Sequence, residues 1–255
     1  VNAYEAAKSA LLPHLDREAI LSVYAAAPGD EISSGKFSNP ASSAALAANM
    51  FGPGLTTPSL FKASDVWADS AGAAQAVTLE AIVRFAWRGG RHPCLDALLS
   101  GPGWLCGVES KRYEPYRSKS AASFSQAFDR PVWTGLQRYD ALRRSLLAGD
   151  SVFKRLDAAQ LTKHALALGA EAERRDAQAT LLYLYAEPTH WPNGAAVDPG
   201  AVQSHRNEIK AFDAAVRGDR VAFRAVSYGV LLDTWRRGGG LLGSHAEQIS
   251  NAFDV

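Results

Sequence analysis

Asp96 and the Glu109-Ser110-Lys111 triplet stand on either side of a Gly101-Pro102-Gly103 turn, each within a short apolar run. Two acids and a lysine brought together at the end of a small hydrophobic sheet are the parts of a metal-dependent phosphodiester hydrolase. The carboxylates of Asp96 and Glu109 are hard oxygen donors, which suit Mg²⁺, or Mn²⁺ in its place, and not zinc. Such an ion polarises a phosphoryl oxygen and lowers the pKa of an attacking water. Lys111 is placed to position or deprotonate that water, or to stabilise charge developing on the phosphate. The Ser110 backbone carbonyl offers a further metal ligand. The competing interpretation is a surface aspartate and an unrelated Glu/Lys ion pair, because this spacing by itself is weak.

The elements that must position these groups follow from periodicity. Residues 94–99 and 104–110 read as two strands of a hairpin, so that Glu109 and Lys111, two apart, project from one face. Residues 73–88 read as a helix stopped by Gly89-Gly90-Arg91-His92-Pro93. That helix would carry Glu80, either toward the strand ends as a second metal ligand and catalytic carboxylate or outward as a solvated glutamate. Further along, helices are expected over 132–147 and 157–168 (running on toward 175), a buried strand over 179–186, a helix over 205–216, a strand over 220–226 and helices over 227–235 and near 244–253. A third strand has no clean candidate between Lys111 and Pro131. Residues 2–26 read as interrupted helix, with Ser42 or Ser43 capping a short one that ends at Met50. The sum is an α/β chain with a small mixed sheet flanked by helices. It divides into a helical extension over 1–72, packed on the core, and an α/β domain over 73–255.

Composition excludes little. The chain has 255 residues and a formal charge of +1, from 27 basic and 26 acidic side chains, so a polyanion partner must be met locally. Two cysteines, Cys94 and Cys106, do not make a disulfide scaffold or a four-ligand zinc site. No apolar run is long enough to span a bilayer and no secretory leader is visible, which makes a cytoplasmic protein the expectation. The Gly238–Gly240 triplet lacks the lysine and spacing of a phosphate-binding loop, so no nucleotide cofactor is expected.

The wording LEAIVRFAWRGGRHPCLDALLSG, followed by GVESKRYEPYR, resembles the PD-(D/E)xK nuclease superfamily and, within it, a bacterial family of restriction endonucleases. The resemblance covers residues 74–226. It implies an α-β-β-β-α-β restriction-endonuclease-like core in which Asp96 is the first acid, Glu109 and Lys111 the ExK pair, and Glu80 the glutamate of the first helix. Leu95 stands where the superfamily's proline would be. The activity implied is Mg²⁺-dependent endonucleolytic hydrolysis of DNA, of restriction type. Two other activities stay open: DNA binding on the same fold with weak or no catalysis, and an RNA or single-strand nuclease.

After Lys111 the local sign changes. Residues 112–144 hold seven basic side chains against three acidic ones, interleaved with aromatics and serines, which suits a phosphate backbone. Candidate nucleic-acid contacts are Arg112, Arg117, Lys119, Arg130 and Arg138, with Gln126 near the site and His92 in the turn before the first strand of the hairpin. For His92 a turn-stabilising role is the alternative. Lys36 and Asn39 are polar candidates from the N-terminal extension, and His190 and His205 are assigned to a loop and to the surface. Cutting both strands of a duplex with one site per chain calls for a two-fold homodimer, matching the symmetry of double-stranded DNA.

Overall fold

The computed structural model describes residues 2–117, 123–130, 132–151 and 153–255. Three helices come first: α1 (Ala3–Ser9), α2 (Arg17–Ala26) and α3 (Ser43–Phe51). Side chains cap all three, Asn2 on α1, Asp16 on α2 and Ser42 on α3, each accepting an orphan first-turn N–H. Strands β1 (Ala76–Ile82), β2 (Cys94–Gly101) and β3 (Trp104–Lys111) follow. Then come α4 (Gln137–Ala148), α5 (Ala158–Arg175), β4 (Gln178–Tyr185), α6 (Pro199–Val216), β5 (Val221–Ser227), α7 (Tyr228–Gly238) and α8 (Gly240–Ala252).

The five strands form one mixed sheet in the order β1-β2-β3-β4-β5. β1, β2 and β3 are an antiparallel meander, and β4 and β5 add on in parallel through helical crossovers. The hairpin turn is Pro102-Gly103 closed by a Gly101–Trp104 pair, with Gly103 at φ 72°, the Pro-then-Gly order that a positive φ at the second turn position favours. β4 lies inside the sheet and is buried along nearly its whole length, which explains its unbroken apolar sequence. Helices cover both faces. On one, α1, α2, α3, α7 and α8 enclose a core with Leu99, Trp104, Val108 and Leu184. On the other, α4, α5 and α6 enclose a core with Leu98, Leu105, Leu181 and Phe223.

Two expectations are corrected. The helix assigned to 73–88 is instead the edge strand β1 and a loop. Its alternating burial, with Val77, Leu79 and Ala81 inside, shows that period two overrides the weaker helical spacing. The missing third strand is therefore β1, ahead of the hairpin. The segment between Lys111 and Pro131 holds only short 3₁₀ turns among its described residues.

β1 and β2 also change faces. Val77 and Leu79 belong to the first core but Ala81 and Val83 to the second. On β2, Ala97 and Leu99 belong to the first and Leu95 to the second. The ladder keeps its register across the break, Leu79 opposite Ala97 and Ala81 opposite Leu95, with Glu80 and Asp96 at the crossover. Glu80 takes φ 47°, the left-handed region that a glutamate in a strand ordinarily avoids.

Candidate active site

The crossover delivers the acids. Glu80 on β1, Asp96 on β2 and Glu109 and Lys111 on β3 line one open cavity of about 380 Å³. Its other wall is the N-terminal extension, through Glu31, Lys36, Asn39 and the start of α3. Gln160 comes from α5 and Arg117 from the chain after β3.

Glu109 is almost fully buried. One of its carboxylate oxygens pairs with Lys111 Nζ and the other lies 3.0 Å from His164 Nδ1 on α5. Burial alone would push this carboxyl up, but Lys111 and His164 outweigh it and hold it down at about 2. Lys111 is pushed upward in turn: burial opposes its charge, and Glu109, Asp96 and Glu114 together overcome that opposition. Asp96 goes the other way. Its Oδ2 accepts the Ser110 N–H at 2.7 Å, yet burial and the Glu109 charge push it well above the usual carboxylate range. Glu80 is raised by burial first and then by Glu31 and Glu109, against a 3.5 Å contact from the Cys94 thiol. One carboxylate is thus held ionised beside two whose charges are disfavoured, a division that acid clusters at working sites commonly show.

Ser110 belongs to the opposite face. Its Oγ bonds the Tyr228 hydroxyl at 2.6 Å and the Ser43 carbonyl at 3.3 Å, and it does not line the cavity. The donor chemistry of Glu80, Asp96 and Glu109 suits a hard cation. No group of three or more His, Cys, Asp and Glu side chains among the described residues is arranged to hold a metal ion, however. Glu109 is occupied on both oxygens by Lys111 and His164, which accounts for its not standing open as a ligand.

The residues expected to meet nucleic acid are scattered. Arg117 is exposed at the cavity mouth, 5.7 Å from the Trp191 ring centre. Arg130 lies over Trp87, Arg138 is exposed at the start of α4, and Gln126 is exposed in a short turn. Arg112 is buried, with Nη1 on the Pro40 carbonyl at 2.5 Å, and so is not part of a surface track. His92 accepts the Phe85 N–H at 3.2 Å, which ties the loop after β1 and matches the turn-stabilising alternative. Lys119 lies outside the described residues. In the same basic run Arg143 is buried and spent on Asp129 and Asp140. His205, assigned to the surface, is buried with Nε2 2.8 Å from the Tyr183 hydroxyl.

Sequence reading passed over His164 and Gln160. The signal was there: Leu161, His164 and Leu168 share the apolar stripe of α5, so a histidine there faces the sheet. Nothing in the sequence said which strand residue it would meet.

A five-stranded mixed sheet with helices on both faces, a helical extension and an acid-and-lysine cavity at an antiparallel hairpin is a PD-(D/E)xK-like fold. The chain matches the family model described as Restriction Endonuclease associating with ARP over residues 15–251, and it belongs to that family. No curated protein and no solved structure matches it. No helix among the described residues is long and apolar enough to cross a membrane.

Proposed function

We infer that the protein is a metal-dependent endodeoxyribonuclease of restriction type, hydrolysing phosphodiester bonds of double-stranded DNA. The observation that carries this reading is the meeting of Glu80, Asp96, Glu109 and Lys111, from three strands, in one cavity open to solvent. Membership of a restriction-endonuclease family supports it. A bound Mg²⁺ or Mn²⁺ would supply charge neutralisation at the phosphate and lower the pKa of the attacking water. Asp96 and Glu80 would hold it, and the burial and the Glu109 charge that disfavour both as carboxylates are what a cation would offset. Glu109, on the next strand, would be the third carboxylate available to it. Lys111, half-buried beside the acids, would orient the water or steady the phosphate oxygen in the transition state. Arg117 at the mouth places the strand. A symmetric dimer remains the arrangement that would cut both strands.

The engagement of both Glu109 oxygens by Lys111 and His164 favours one other reading, DNA binding with weak or no catalysis. Both are tested by incubating supercoiled plasmid and mixed-sequence linear DNA with wild type and Glu109→Ala, in Mg²⁺, Mn²⁺ or EDTA. Metal-dependent cutting lost in the variant is the expected result. Retardation of DNA by folded wild type with no cutting in either metal would leave the binding reading instead.

A further inference from the structure

The loop between β1 and β2, residues 83–93, leaves the sheet where Ile82 pairs with Cys94, and Cys94 lines the cavity. From Ala81 to Leu95 the chain carries no acid, and Arg84, Arg88 and Arg91 are all exposed. The base of the loop is fixed. Val83 and Phe85 are buried in the second core, Phe85 stacks on Trp87 at 4.5 Å, and Trp87 meets Phe128 and Trp133 edge to face. Two further cations join from other elements. Arg130, exposed, lies 5.3 Å over the Trp87 ring, and Lys163 on α5 lies 5.0 Å over Phe124, which meets Phe128 at 5.2 Å. Lys163 stands one turn along α5 from Gln160, which lines the cavity. A line of ring contacts thus leads from the cavity, past Lys163 and Arg130, to the loop.

The acids along this line have other partners. Glu171 holds Arg174 and Arg175, Asp129 holds Arg143, and Asp157 caps α5. No ion pair among the described residues engages Arg84, Arg88, Arg91, Arg130 or Lys163. The local field is positive: the Arg84 and Arg174 charges add to burial in holding the His92 imidazole below its ordinary value. Five unpaired cations on one line suit a polyanion. The rings beneath them are already covered, since Trp87 has Phe85 stacked on it and Arg130 over it, and Phe128 is buried. No bare aromatic face is left on which an unstacked base could lie, so the surface suits the phosphates of an intact duplex and not a single strand. We propose that the β1–β2 loop, Arg130 and the first turns of α5 form a track for the phosphate backbone of duplex DNA. This rests on the cavity being where DNA is held. An extended chain covers at most about 3.3–3.6 Å per residue, so the loop tip, about six residues out, lies within roughly 20 Å of the sheet. That is little more than half a turn of duplex, at about 34–36 Å per turn. The track therefore grips the backbone close to the bond that faces the cavity.

The test is equilibrium binding of a labelled mixed-sequence duplex in EDTA, by fluorescence anisotropy, over a series of NaCl concentrations. Each phosphate contact contributes about 0.9 to the slope of log K against log[salt]. Arg84→Gln, Arg88→Gln and Arg91→Gln combined should flatten that slope by about 2–3 and weaken binding about tenfold or more, alike on every sequence. Arg130→Gln and Lys163→Gln, on other elements, should each flatten it by about 1, which decides the matter if the triple variant does not fold. Lys62→Gln, Lys210→Gln and Arg237→Gln combined remove the same charge from exposed sites on elements that the line does not touch, and should flatten it by less than about 1. Equal flattening by the two triple variants would overturn the track, as would tighter binding of a single strand than of the duplex, or no duplex binding at low salt. Plasmid cleavage in Mg²⁺ separates this proposal from the nuclease reading. Cutting, with a loop variant that binds as wild type does, sinks only the track. Loop-dependent binding in a protein that never cuts sinks only the nuclease.

Discussion

Asp96 and Glu109 are chemically alike and sit side by side, yet their surroundings drive them in opposite directions. Glu109 has a lysine and a histidine at its two oxygens; Asp96 has one backbone N–H and a negative neighbour. An ionised Asp96 therefore costs the folded state free energy when no cation is bound. Asp96→Asn keeps an acceptor for the Ser110 N–H and removes the charge, so it should stabilise the metal-free protein near neutral pH, seen calorimetrically as a higher melting temperature, with each kcal/mol gained worth roughly 2–4 °C. The sign in pH follows. Because the folded value lies above the ordinary 3.8, both states are protonated below it and the gain vanishes, whereas it grows as pH rises toward the folded value. A variant less stable than wild type at neutral pH would contradict the strain. Mg²⁺ should raise the wild-type melting temperature and leave that of Asp96→Asn unmoved; equal shifts would remove Asp96 from the metal site. Lys111 separates binding from chemistry. Lys111→Ala should bind DNA within a few-fold of wild type while cleavage falls by about a hundredfold or more, measured in single-turnover assays, and normal cleavage would end its assigned role.

At the scale of elements, the decisive feature is the point where β1 and β2 pass from one face of the sheet to the other. A regular strand would put residue 80 on the face opposite its neighbours 79 and 81. Here those neighbours enter different cores, and the acids at the crossover are turned toward the cavity. The left-handed φ of Glu80 is part of that geometry and costs about 1 kcal/mol for a residue with a Cβ. Glu80→Gly should therefore leave stability within about 1 kcal/mol of wild type or raise it, whereas Leu79→Gly, one residue away and buried, should cost about 3 kcal/mol or more. Urea midpoints of the two variants decide this, and equal losses would show that the backbone at 80 is unstrained. The same crossover explains what was legible in the sequence. The hairpin was readable because Gly101-Pro102-Gly103 separates two apolar runs, and with it the convergence of Asp96, Glu109 and Lys111. β4 was readable from ATLLYLYA. β1 was not, because Val77, Ile82, Val83, Ala86 and Trp87 fit a helical stripe as well as a strand followed by a loop that packs Trp87 on Phe85. Glu80 thus lay within the correct stretch of chain on the wrong element. Arg112 illustrates a different blindness: its charge promised a surface, and only the tertiary fold shows it drawn between Tyr113 and Phe253.

For the whole molecule, the question is whether the sheet with its three crossover helices would hold together without the first 72 residues. The core on one face of the sheet answers against it. It is built from Leu11, Ile20, Leu21, Phe37, Leu46, Phe51 and Phe61 on one side and Leu99, Trp104, Val108, Leu184 and Trp235 on the other, and each of the aromatic residues Phe37, Phe51, Phe61, Trp104 and Trp235 is at most 1 % exposed. Phe51 and Phe61 both pack on Trp235, and Asn49 bonds the Leu12 N–H, so the extension is tied to α7 and to itself rather than draped over a finished surface. Each such side chain left in water forfeits about 1.5–3 kcal/mol of burial, and a chain of this size has only about 5–15 kcal/mol of net stability to lose. The extension also forms the wall of the cavity through Glu31, Lys36 and Ser43, and Ser43 bonds Glu114 at 2.5 Å just beyond β3. Residues 73–255 expressed alone should accordingly lack a cooperative thermal transition and bind a hydrophobic dye, even though every candidate acid and Lys111 are present. A fragment that unfolds in one sharp step and still cuts DNA with Mg²⁺ would make the extension an accessory. Failure of the fragment, followed by recovery on adding residues 1–72 in trans, would mark it as half of the catalytic fold.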